Sequence, residues 1–150
     1  TTEIMTAVSL IKAVENPMRD ISMLSVMLSP IFGFNETDVA LLKLKNPNKK
    51  LYSSAIVLAG NGNSKCSFLV EKISFWRKKA ATMSTADFVS FLLNDSGYYN
   101  MILSMSDKER RHANLILLEN IAESYFNESA GDISGFVNHL NLNVNRTKPS

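Results

Sequence analysis

Apolar residues recur along this chain at helical spacing and almost nowhere alternate, and that pattern restricts the fold more than any other feature. Ile4, Val8 and Ile11 fall at i, i+4 and i+7 behind Thr2 as a candidate cap. Asn16-Pro17 ends that helix. Asp20 reads as the cap of a short second helix carrying Ile21, Leu24 and Leu28, which Pro30 and Gly33 terminate. Asn35, with Asp38 three residues on, forms a box-like start before Val39 and Leu42. After the turn "NPNKK" (46–50), a short helix is expected over 51–59. Its run "AIVLAG" (55–60) is the one stretch that could be extended, but the helical context decides for helix. "GNGNS" (60–64) is the most linker-like stretch. Leu69, Ile73, Trp76 and Ala80 then share one stripe, and Ser84 with Asp87 starts a helix bearing Phe88, Phe91 and Leu92. Gly97 suits the position just past a helix end. Ser106 with Glu109 matches the capping box proper and predicts the longest helix, over 107–126. Gly131-Asp132 precedes a last amphipathic segment with Phe136, Val137 and Leu140, and a polar tail over 144–150 is expected to fray. The expected fold class is all-α, a compact bundle of about seven to nine helices forming a single domain over 1–150.

A chain of 150 residues fits one domain, and its 45% hydrophobic content can supply a core. No apolar run reaches the ~20 residues of a membrane helix, and "TTEIMTAVSL" has neither the basic start nor the cleavage pattern of a signal peptide. Cys66 is the only cysteine, so no internal disulfide can form, which is compatible with the expected cytoplasmic location. The opening residues already read as helix and no initiator methionine is present, so we expect an excised piece of a longer protein.

The net charge of +2 hides a strong asymmetry. Lys43, Lys45, Lys49, Lys50, Lys65, Lys72, Arg77, Lys78 and Lys79 stand against Glu71 alone, a local net of +8 that leaves −6 on the remainder. A basic middle between acidic flanks can attract polyanions; the competing reading is an ordinary solvated surface.

Catalytic patterns are missing. "AGNGNSKCS" superficially resembles a phosphate loop, but Gly60 and Gly62 are too close and Cys66 follows Lys65 where a magnesium-binding hydroxyl belongs. His112 and His139 are far apart, and no cysteine or carboxylate cluster has ligand spacing, so neither a metal nor a cofactor is expected in this chain. Cys66 reads as core, the acids Asp107 and Glu109 as partners of a helix dipole, and the seven methionines as adaptable packing. No active site is expected.

Three stretches together resemble one family. "TEIMTAVSLIKAVENPMRDISMLSVMLSPIFGFNETDVALLK" (2–43) is similar to the segment that opens subdomain 2B of UvrD/Rep-type superfamily 1 helicases, in the flavour of the AddA component of bacterial helicase-nucleases. There a glutamate-led helix, a short "NP..D" link and an "L.SP..G" turn precede an acidic-capped helix. "FLVEKISFWRKKAATMSTADFVSFLLNDSGYYNMI" (68–102) resembles the family's Trp-Arg helix followed by a helix closing on "SGY". In "ERRHANLILLENIAESYF" (109–126), Arg111, Asn114 and Leu115 match an R-x-x-N-L pattern. The resemblance covers nearly the whole chain and rests on the order and spacing of motifs that are individually weak.

The resemblance implies an accessory insert of an ATP-dependent DNA helicase-exonuclease acting in double-strand break repair, with ATP and magnesium bound elsewhere in the parent. It implies three partners: duplex DNA, the parent's motor domains and a second nuclease subunit. In UvrD-type relatives a "GIG"-like turn brings backbone amides to duplex phosphates; here Gly33 matches the first glycine, Phe34 the apolar residue, and Asn35 replaces the second glycine. Glu36 and Asp38 oppose phosphate at that helix start, and a capped helix packed through Phe32 and Phe34 is the competing reading. Lys43, Lys45, Lys49 and Lys50 form the stronger candidate phosphate patch, and Arg77, Lys78 and Lys79 a second. No base readout is expected. Arg111 and Asn114 read as structural, holding a neighbouring turn through side-chain hydrogen bonds. The alternative function is a protein-docking module seated on the motor domains or on the partner nuclease. An unrelated helical regulator, or an isolated enzyme, would lack support in these residues.

Overall fold

The computed structural model describes the backbone of residues 2–129 and 132–147, and side chains within 2–125 and 132–141. These residues form helices and no strand: α1 (Thr2–Glu15), α2 (Asp20–Leu28), α3 (Glu36–Lys45), α4 (Leu51–Gly60), α5 (Ser64–Thr82), α6 (Thr85–Asp95), α7 (Tyr98–Ile102), α8 (Lys108–Ser129) and α9 (Ile133–Thr147). The all-α expectation is met, and the ambiguous run 55–60 is helical.

α1 is the axis of the bundle. Its sequence places Ala7, Leu10, Ile11, Ala13 and Val14 so that neighbours cover it on several sides, and it packs against α2, α5, α6, α8 and α9. Full burial of a side chain such as Leu10 or Ile11 is worth about 1.5–3 kcal/mol. The stripe Leu69, Ile73 and Trp76 of α5 is fully buried, while Ala80 lies at its edge. Trp76 donates its indole N–H to Asp95 at 2.8 Å, which ties α5 to the end of α6. In α8, Leu115, Leu118 and Ala122 form the inward face.

Helix ends follow local chemistry in most places. Asn35 and Asp38 make the reciprocal capping box, Ser84 accepts from the Asp87 amide, and Gly97 at φ +77° follows the end of α6. Three expectations change. Asp20 does not cap its own helix. Its carboxylate accepts from the Leu51 amide at 3.0 Å, so it serves the start of α4, whose own cap position, Lys50, makes no side-chain bond. The linker-like "GNGNS" is a tight turn, with Asn63 accepting from the Cys66 amide to start α5. At the third box, α8 begins at Lys108, one residue later than a Ser106 cap requires, because Asp107 sits at φ +54°. The last helix runs to Thr147, into the expected tail; Lys148–Ser150 lie outside the described residues.

The first turn of α1 is fastened to α8 by a buried carboxylate. Glu3 is 1% exposed, accepts from Arg111 at 2.9 Å and Asn114 at 2.6 Å, and has Arg110 at 3.7 Å. Its backbone carbonyl accepts the Tyr98 hydroxyl at 2.7 Å, which brings in α7. Removing the cation from such a site leaves a charge in a dry place, and breaking a buried pair this way costs about 3–5 kcal/mol. Arg111→Ala is therefore expected to destabilise the chain by about that amount in urea unfolding, and Glu3→Gln by clearly less, because Arg111 can turn toward solvent. Equal losses in the two variants would show that the buried charge does not set the cost.

Candidate nucleic-acid interface

The turn ahead of α3 is closed from within. Gly33 donates its amide to Ser29 at 2.8 Å, Phe34 to Met27 at 2.9 Å, and Asn35 to the Asp38 carboxylate at 2.8 Å. None of the three amides expected to face phosphate is left as a free donor. Gly33 is at φ +65° with open space where a Cβ would sit, so the turn needs glycine for backbone conformation rather than for close approach. Phe32 and Phe34 are buried, Phe32 edge-on to Phe68 and Trp76. Lys65 straps the turn down, donating to the Gly33 carbonyl at 3.1 Å and to Asp38 at 2.7 Å. The Lys65 ammonium, then the Asn35 amide, hold the Asp38 carboxyl below its ordinary range.

The basic residues divide into engaged and open ones. Arg77 donates to the carbonyls of Val14 and Glu15, the latter at 2.9 Å, and so closes the carboxyl end of α1. The Lys79 ammonium stands over the rings of Phe75 and Phe91 at 5.6 and 5.8 Å. Lys72 lies 3.7 Å from Asp95. Lys43, Lys45, Lys49, Lys50 and Lys78 are exposed, and among the described residues none of the five is ion-paired.

Hydrogen bonds fix where these groups lie. Asp20 joins the starts of α2 and α4, and Arg77 joins α5 to the end of α1. Lys78 lines a cleft with Asn16, Pro17, Met18 and Tyr52. The open lysines therefore gather at the end of the bundle where α1 and α3 finish and α4 begins. The Gly33 turn sits at the other end beside Lys65. Arg77 lies twelve positions after Lys65, about 18 Å along α5. The sequence-derived set thus divides in space: Gly33, Phe34 and Asn35 at one end, the Lys43–Lys50 group with Lys78 at the other, and Arg77 and Lys79 in structural contacts.

Sequence reading did not single out Lys65, Asp20 or Glu3 for these roles. Glu3 entered only as the residue that leads its helix, Asp20 as the cap of α2 and Lys65 as one of the basic residues. Arg111 and Asn114 both donate to Glu3 of α1. Cys66 is buried, and burial raises its thiol pKa, the nearby Asp38 adding to the effect. Among the described residues no helix is long and apolar enough to cross a membrane.

No family model matches the chain. It is 34% identical over 145 residues to the AddA-type ATP-dependent helicase/nuclease of Thermoanaerobacter sp. (strain X514), an alignment covering 94% of this chain and 12% of that protein. The corresponding helicase/nuclease of Clostridium perfringens (strain 13 / Type A) is 33% identical over 150 residues, and that of Acetivibrio thermocellus 33% over 144, again at 12% of their length. The chain thus spans about an eighth of the length of the curated relatives it matches.

The lowered Asp38 pKa carries a sign. A carboxyl depressed in the folded state contributes stability above its ordinary value near ~4 and loses it as pH falls through the lowered one. Asp38→Asn keeps the shape and removes the charge. It is expected to cost about 0.5–1 kcal/mol at neutral pH. The gap to the unsubstituted chain should close in urea titrations carried below pH ~4. A gap independent of pH would mean that the cap, and not its charge, matters.

Proposed function

Because the chain is, over nearly its whole length, a homologue of one segment of the AddA-type ATP-dependent helicase/nuclease family, we propose that it is an accessory DNA-contacting module of such an enzyme. In this reading it corresponds to the inserted 2B region of the parent. The parent unwinds and degrades DNA in double-strand break repair in the cytoplasm, and its ATP and magnesium are bound by other domains. The module itself performs no catalysis. It contacts duplex phosphates, packs on the motor domains of the parent, and works alongside a second nuclease subunit.

The observation that carries the reading is the exposed, unpaired set Lys43, Lys45, Lys49, Lys50 and Lys78 at one end of the bundle. Ammonium groups on long stems suit phosphate contact without base readout. Each neutralised phosphate releases counterions, so binding weakens by a slope of about 0.9 per contact in log salt. Four contacts then predict roughly a hundredfold loss between ~50 and ~200 mM salt. The Gly33 turn contributes little to the contact, because its amides donate internally and Asp38 stands beside it.

Titrating a fluorescent duplex with the chain at two salt concentrations tests this. Salt-sensitive binding is expected, weakened by more than about tenfold in the Lys49→Glu/Lys50→Glu variant and nearly unchanged in Lys79→Ala. Absence of binding at the lowest salt, or full binding by the charge-reversed variant, would defeat it.

A further inference from the structure

α2 and α3 both lean on α4, while α2 takes its other main support from α1. Between α2 and α3 lie two adjoining depressions of about 360 and 320 Å³ that share Leu24 and Lys43 in their walls. Together they make one groove. Its α2 wall is the stripe Ile21, Leu24 and Leu28, at i, i+3 and i+7, a spacing normally turned to a core. Here Ile21 is 89% exposed and Leu28 46%, and Leu44 on α3 is 79% exposed. The α3 wall is Val39, Ala40 and the stem of Lys43.

The lining of the groove holds two lysines and two carboxylates, unevenly placed. Lys43 and Lys49 line its end near the α3–α4 turn, with Lys45 and Lys50 exposed alongside. Asp20 also lines that end, bonded to the Leu51 amide and still charged, so the end is net basic only through Lys43 and Lys49 together. Glu36 marks the opposite end. A sugar-phosphate backbone offers nothing to cover a leucine-isoleucine stripe, so the stripe calls for a partner other than duplex DNA. From Ile21 to Leu28 the stripe is about 10 Å long, about two turns of a facing helix.

We propose that the α2–α3 groove is a docking site for an acidic amphipathic helix of a separate partner protein. Its apolar stripe packs on Ile21, Leu24 and Leu28, and its carboxylates face Lys43 and Lys49. This is helix-in-groove recognition, with apolar anchors for affinity and lysines for orientation. It overlaps the proposed duplex contact at Lys43 and Lys49, so the docked helix and DNA compete at that end.

The probe is a fluorescein-labelled synthetic peptide of about 14 residues built from Leu, Ala and Glu, with leucines on one helical stripe. A matched peptide with Lys in place of Glu is the control. The 150-residue chain is expected to bind the acidic peptide and to bind the basic one at least about tenfold more weakly. Ile21→Asn/Leu28→Asn should abolish peptide binding while leaving salt-sensitive duplex binding in place, and helical circular dichroism with cooperative urea unfolding reports that the variant is folded. Lys43→Glu/Lys49→Glu should weaken both ligands. The proposal is overturned if neither peptide binds, if both bind equally, or if the groove variant still binds. It is also overturned if the chain self-associates and Ile21→Glu abolishes that, since the occupant is then a second copy.

Discussion

The arrangement of the bundle depends on how α1 is held at its two ends, and the buried Glu3 carboxylate is the stronger of the two fastenings. A carboxylate in the first turn complements the positive end of its own helix, which lowers the cost of taking it out of water. Arg111 and Asn114 supply the donors that make the burial tolerable. At the other end the carbonyls of Val14 and Glu15 need donors, and Arg77 reaches them from α5. Ser134 donates to the Glu15 carboxylate at 3.0 Å and brings the start of α9 to the same place. Each fastening is directional and occupies one geometry. Together they fix the rotation and height of α1, which hydrophobic burial of a helix covered on many sides does not do by itself.

That constraint decides which cations are left for partners. Arg77 and Lys79 belong to the same basic triplet as Lys78, but successive helical residues point about 100° apart. Arg77 is turned to α1 and Lys79 to the rings of Phe75 and Phe91, so of the three only Lys78, which lines the cleft beside Tyr52 together with Arg77, is left unengaged. Lys65 is likewise drawn to Gly33 and Asp38. The local charge of +8 read from sequence therefore overstates the field available to a polyanion, and the open part collects at one end of the molecule.

What was legible in the sequence was local. The Asn35–Asp38 box, the Gly97 turn and the stripe Leu69, Ile73 and Trp76 all depend on residues within one or two turns of each other, and all three appear. The pairing of Asp20 with Leu51 spans 31 residues, and that of Glu3 with Asn114 spans 111. Nothing in either neighbourhood announces the partner. Asp20 shows how a sound local rule goes astray: an acid at a helix start is the expected cap, yet the nearer orphan amide in space belongs to α4. At Ser106 the rule meets a competing constraint, since the positive φ of Asp107 delays the helix by a residue. The candidate interface was half legible for the same reason. Which lysines exist is written in the chain, and which of them are occupied is a matter of tertiary contact.

α3 brings these threads together. It buries only Val39 and Leu42, and its main packing partner is α4. Such a helix gains little from the core. It is held instead by its capping box, the Lys65 strap and the turn packed through Phe32 and Phe34. Those devices all act at its first turn and leave the rest of its length, including Leu44, Lys43 and Lys45, facing outward. An element secured at one end, with an exposed leucine and unpaired lysines at the other, carries surface that folding alone does not use. Binding surfaces are drawn from such weakly cored elements, because their exposed groups are free to find complementarity in a partner. The unused surface of α3 therefore supplies lysines to the proposed duplex contact and one wall of the groove.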